Sequence, residues 1–169
     1  MFERYSIRAR QLIFMALWSA RRRRGSYIEP QDLLHALIRE DRGELAAIAA
    51  EMFPVVPVPP DPLAATHPSF FSDVTAAALL QELHEDPKPL PLPTSEEKPG
   101  PAAHADMPLS RSMKDLLTSV AKAHEDDTKT VEPLDFLAAI AENRDSALAQ
   151  LLLRNGITRQ TVKDALDAA

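Results

Sequence analysis

The sequence predicts an all-α fold made of two repeated four-helix units, and three observations carry that expectation. A stretch at 27–40, YIEPQDLLHALIRE, returns at 130–143 as TVEPLDFLAAIAEN. Five positions are identical, Glu29/Glu132, Pro30/Pro133, Asp32/Asp135, Leu34/Leu137 and Ala36/Ala139, and such an internal echo marks a repeated structural unit. Apolar residues elsewhere recur at the spacing of amphipathic helices, and no segment alternates with the period of two of a half-buried strand. Serine, threonine or aspartate precedes most of these apolar runs, where it can cap a helix.

Ser6 is placed to cap a first helix over 6–24, with Leu12, Ile13, Ala16, Leu17 and Ala20 on its buried face and Phe14, Met15 and Trp18 widening it. Arg21, Arg22, Arg23 and Arg24 suit the negative end of the helix dipole, and Gly25 is the expected stop. The first signature helix follows at 30–40. Pro30 takes the first helical position, where its missing N–H costs nothing, and Asp32 sets a carboxylate beside the positive end of the dipole. Leu33, Leu34, Leu37 and Ile38 form its core face. After a turn through Asp41, Arg42 and Gly43, the apolar residues Leu45, Ile48, Ala49 and Met52 predict a third helix. A fourth, over 72–85, is capped by Ser72 or Asp73 and presents Val74, Ala77, Ala78, Leu79 and Leu83.

The second unit repeats this order. Ser110 caps a helix carrying Met113, Leu116, Leu117, Val120 and Ala121, and the acidic turn at 125–127 leads to the second signature helix from Pro133. A third helix at 147–154 stops at Asn155 and Gly156, and Thr158 caps the last, with Val162 and Leu166 facing inward. Between and within the units the composition changes: 54–108 holds 13 of the 15 prolines. Proline at this density excludes helix and strand and favours extended chain, which predicts an insertion at 54–71 inside the first unit and a linker at 86–106. The division is therefore 1–85 for the first repeat, 86–106 for the Pro-rich linker and 107–169 for the second repeat, together one domain. The run PKPLPLP at 87–93 reads as part of a tether.

Composition limits the chemistry. The net charge of −6 repels nucleic acid, and no aromatic residues interleave Arg21–Arg24, which instead read as a contact for an acidic protein partner. There is no cysteine, so disulfides and thiolate metal sites are excluded and a reducing, cytoplasmic setting is expected. The apolar run at 12–18 is far short of the roughly 20 residues that cross a bilayer, so no membrane association is expected. The five histidines show no helical i, i+3 or i, i+4 pairing, which predicts no metal and no other cofactor. His35 reads as a partly buried or exposed residue. With no strand to form a nucleophile elbow and no nucleophile–base pair, no catalytic residue is assigned.

The opening MFERYSIRA, the signature helix after Tyr27 and Ile28, and the ending Leu152, Leu153, Asn155, Gly156 and Ile157 resemble the amino-terminal domain of the Clp AAA+ unfoldases, most closely the ClpC type. The resemblance covers essentially the whole chain. It implies a bundle of two four-helix repeats related by pseudo-twofold symmetry. It further implies a non-catalytic protein-interaction module of a bacterial, cytoplasmic chaperone and proteolysis system, one that binds substrates, adaptors or the unfoldase. The four glycines cannot supply a phosphate-binding loop, so the resemblance implies no ATP hydrolysis by this chain. A similar module of another AAA+ machine, such as a secretion-system unfoldase that binds a helical peptide, is the alternative. The family's ligand chemistry lies at the starts of the signature helices, which implies a ligand or partner site at Glu29, Gln31 and Asp32 and at Glu132, Leu134 and Asp135. ClpC-type domains usually start these helices with Gly-Thr-Glu-His, and in some members that glutamate helps to hold phosphorylated arginine. Here Gln31 and Leu134 stand in its place. An amide and a leucine cannot offer the missing charge, and the flanking carboxylates repel phosphate, which argues against phosphoarginine.

Overall fold

The computed structural model describes residues 3–45, 69–88, 107–126 and 128–168. Among them the chain forms seven helices and no strand: α1 (Ile7–Arg22), α2 (Pro30–Asp41), α3 (Asp73–Glu82), α4 (Arg111–Ala123), α5 (Pro133–Glu142), α6 (Ala147–Arg154) and α7 (Arg159–Ala168). The all-α class is thus as expected. The helix predicted from Leu45 to Met52 lies outside the described residues except for Leu45, which is buried. Of the two Pro-rich stretches, only 69–71 and 86–88 are described.

The helix starts follow from local side-chain chemistry. Ser6, Ser72, Ser110 and Ser146 each accept a hydrogen bond from the backbone N–H three residues on, satisfying one of the donors a helix start leaves open. The two signature helices, α2 and α5, use a different device. Each has proline in its first turn, and the aspartate that follows reaches back to the N–H of the preceding glutamate, Asp32 to Glu29 at 2.8 Å and Asp135 to Glu132 at 2.7 Å.

The helix ends depart from expectation. Gly43 and Gly156 take the left-handed conformation that closes α2 and α6, as glycine does without a Cβ penalty. The same position after α1 is held by Arg24 (φ 57°) and after α3 by His84 (φ 60°). Both stops carry the paired bonds of a Schellman motif: Gly25 N–H to the Ala20 carbonyl and Arg24 N–H to Arg21, then Glu85 N–H to Leu80 and His84 N–H to Gln81. Gly25 is therefore one residue past the position assigned to it.

One hydrophobic core draws residues from all seven helices. The predicted α1 face holds at Leu12, Met15, Ala16, Trp18 and Ala20, but Phe14 is half exposed. Val74 is a second correction: at 81% exposed it faces out, and α3 instead buries Ala76, Leu79 and Leu80. The core crosses from one half of the chain to the other at Tyr5, whose ring meets Phe136 edge to face at 5.4 Å.

Two backbone bridges join the halves beside that contact, Tyr5 with Val131 and Ile28 with Leu109. Their hydrogen bonds have one pattern. Val131 donates to Arg4 and accepts from Ser6, and Ile28 donates to Pro108 and accepts from Ser110. Each half thus presents the residue before its signature helix to the residues before the other half's capped first helix. This sets the starts of α2 and α5 at the junction of the two halves.

Candidate functional site

The sequence-predicted residues lie at both helix starts, and each start lines a groove. The first groove, about 550 Å³, runs from Glu29, Pro30 and Gln31 across to α4, α5 and α6. The second, about 630 Å³, runs from Glu132, Leu134 and Asp135 across to Arg8 of α1 and Leu37 and Glu40 of α2. Gln31 is exposed and donates to Glu29 at 3.2 Å, and Leu134 packs its side chain against the core. Asp135 is fastened to His124, with Nε2 3.1 Å from Oδ1.

Asp32 is not a surface ligand. It is 1% exposed, and every direction around its carboxylate is occupied. Arg23 grips both oxygens, Nε to Oδ1 and Nη2 to Oδ2, each at 2.8 Å. This two-pronged geometry is the strong form of the arginine–carboxylate pair. Ser19 Oγ donates to Oδ1 at 3.3 Å, and the Glu29 N–H donates to Oδ2. Arg23 also reaches the Tyr27 carbonyl at 2.9 Å and Glu29 Oε2 at 2.9 Å. Arg23, although an exposed residue, is thereby committed to partners within its own chain. A Cβ at Gly25 would sit 2.4 Å from its Nη1, so the glycine leaves room for the guanidinium to cross the backbone.

The other arginines of the cluster differ in role. Arg22 lies over the Trp18 ring at 4.8 Å, a cation–π contact, and both it and Arg24 are exposed. Arg21 is half-buried in the last turn of α1.

Behind Asp32 runs a buried polar chain for which the sequence reading made no provision. His35 is 3% exposed, against the expectation of partial burial or exposure, and Arg39 is fully buried. Arg39 Nε donates to His35 Nε2 at 3.2 Å, so that nitrogen is the acceptor and Nδ1 carries the ring proton. Nδ1 then donates to Ser19 Oγ at 2.9 Å, and Ser19 passes its own proton toward Asp32. The order is Arg39, His35, Ser19, Asp32, Arg23: Arg39, His35 and Ser19 each donate to the next, and Asp32 accepts from Ser19 on one side and from Arg23 on the other. Burial, with the positive charges of Arg39 and Arg22, lowers the His35 pKa to about 3, so the imidazole is neutral. Beside it, 3.8 Å from Nδ1, Glu85 has its carboxyl pKa pushed up by burial.

The hydrogen bonds of this buried row hold its members in place. A serine nucleophile needs a base that takes its proton, but here the imidazole gives a proton to Ser19 and the serine sits between the other two groups. Both groups are closed to solvent.

The last turn of α2 uses charge in a second way. Arg39 donates to the carbonyls of Asp86 and Lys88, and Arg42 to that of Pro87. Asp41 accepts the N–H groups of Phe70 and Phe71 at 2.7 and 3.0 Å. Cations thus hold the backbone leaving α3 and an anion holds the backbone entering it. The local signals for this were a histidine and an arginine four apart on a helix, a spacing that places both on one face.

Among the described residues no group of three or more His, Asp or Glu is placed to hold a metal ion, and no helix is long and apolar enough to cross a membrane. No protein-family model matches the chain, and no curated protein does so either.

Proposed function

We propose that this chain is a non-catalytic protein-interaction module of the Clp unfoldase and protease system, cytoplasmic, serving as an adaptor, regulator or amino-terminal domain. We further propose that its helices form two four-helix repeats related by pseudo-twofold symmetry. Support for the repeat comes from the matched aspartate caps of α2 and α5 and the matched backbone bridges before them.

The observation that carries the functional reading is that both signature-helix starts open into grooves between the two halves. Concave sites with an apolar floor and a few polar groups are where segments of other molecules bind. The closed chemistry of Ser19, His35 and Asp32 supports a role in binding over one in turnover.

The test is affinity capture from a lysate of the source organism with the immobilised chain, read by mass spectrometry. Recovery of a Clp unfoldase, adaptor or protease is expected, and its loss on Leu134→Lys would place the contact in the second groove. Recovery of a secretion-system component instead would move the module to that machine. A capture containing neither overturns the proposal.

A further inference from the structure

The two grooves differ in charge. The first is lined by three carboxylates, Glu29, Asp115 and Glu142, and by no arginine, lysine or histidine. Arg23 and Arg159 pair with Glu29 and Glu142 at 2.9 and 3.1 Å, but neither arginine lines the groove. Asp115 is exposed and has no ion-pair partner among the described residues. Between the carboxylates lies an apolar floor in which Leu116 and Leu148 are partly buried and Ile140 is buried.

The second groove carries both signs. Arg8 and Lys129 line it, and its carboxylates are largely engaged, Glu40 by Arg8, Asp41 by two backbone N–H groups and Asp135 by His124. It discriminates little by charge.

We infer that the first groove takes a cationic amphipathic peptide segment of a partner protein. Its apolar side chains lie on Leu116, Ile140 and Leu148, and its lysines or arginines face Asp115 first, with Glu142 and Glu29, each already paired with one arginine outside the groove, adding to the negative rim. This rests on the interaction role proposed above and names the partner's chemistry. Single-sign rims steer association and reject like-charged ligands, so acidic and phosphorylated segments are disfavoured here. Because the carboxylates stand at the rim, the attraction is screened by salt, while the apolar floor is not.

The experiment is fluorescence anisotropy on the full chain with two labelled probes. One is a 14-residue amphipathic peptide with leucines on one face and arginines flanking them. The other has every arginine replaced by glutamate. The arginine probe is expected to bind about tenfold more tightly at low salt, with the ratio shrinking as salt rises. In the double variant Asp115→Lys with Glu142→Lys the preference inverts, which a merely misfolded protein would not do. Asp73→Lys, at the exposed first residue of α3, leaves the preference unchanged.

Equal binding of the probes, no binding of either, or a double variant that behaves like Asp73→Lys overturns the inference. Captured Clp components without a probe preference remove only the partner chemistry. A probe preference without Clp components keeps the groove's chemistry and removes the Clp assignment.

Discussion

The two signature helices start alike and are then used differently. Both place proline in the first turn and fold an aspartate back onto the N–H of the preceding glutamate. Beyond that turn the matching positions part company. His35 corresponds to Ala138, Arg39 to Glu142, and Ser19 on α1 to Ala123 on α4. In the first half these residues form the buried chain. In the second half Glu142 is exposed, with its charge met by Arg159. Eight of the twelve residues of α2 are buried against five of the ten of α5, so α2 is enclosed on more sides and its polar residues had to find partners inside. One repeat pattern thus supports a helix fastened by charge and a helix fastened by apolar packing. The lesson is that an internal repeat specifies a backbone start, and not the role of the face behind it.

The contrast is open to attack from its largest expected effect downward. Acid should act mainly through His35, because Ala138 has nothing to titrate. Its folded pKa of about 3 lies below the unfolded value of 6.5, so the unfolded chain binds more protons between those values. Its contribution is complete above pH 6.5 and is lost as pH falls toward 3, up to about 5 kcal/mol. Glu85, with its pKa raised, works with the opposite sign just above the usual carboxylate range. Melting temperature against pH should therefore fall steeply below pH 6, and His35→Gln should flatten the curve. An unchanged slope in that variant would remove the histidine from the explanation.

Arg39→Met leaves the His35 acceptor and the carbonyls of Asp86 and Lys88 without this donor and takes one partner from Glu44, which also faces Arg42. Loss of one side of a buried charged network costs about 3–5 kcal/mol. Glu142→Ala, at the matching place in α5, should stay within about 0.5 kcal/mol. Urea unfolding of the two variants measures the difference, and equal losses would mean that the halves are not fastened differently.

Asp32→Asn and Asp135→Asn sharpen the comparison at the shared cap. Asp32 holds Arg23 through two bonds in a closed site, so its loss should cost about 2–3 kcal/mol, and Asp135 about 1 kcal/mol. Gly25→Ala should act on the same pair by displacing Arg23, and a double-mutant cycle with Asp32→Asn should show strong non-additivity.

The smallest effect concerns the helix stops. His84→Gly should relieve the left-handed strain and raise stability by about 0.5 kcal/mol, whereas Gly156→Ala, at a stop already glycine, should lower it by about 1 kcal/mol.

The chain alone determined what depends on residues three or four apart. Serine caps, the proline and aspartate of the signature helices and the period of their apolar faces act within one turn, and they appear where local chemistry requires them. Glu29, Gln31, Glu132 and Leu134 line the two grooves, a placement that periodicity did not foresee; the sequence had singled out these helix starts only through the resemblance it carries. Local reading failed where partners are distant in sequence. Arg23 was read with Arg21, Arg22 and Arg24 as a contact for an acidic partner, yet its guanidinium is taken up by Asp32 of its own chain. Val74 fitted an apolar face, yet the packing of α3 turned it outward. Arg39 meets carbonyls 47 and 49 residues away, and His35 is neutral only because α1, α2 and the chain after α3 close around it. Periodicity records which face of a helix is apolar. Whether a polar residue on that helix meets water or an arginine is decided by what the rest of the chain brings against it, and that is a property of the tertiary structure.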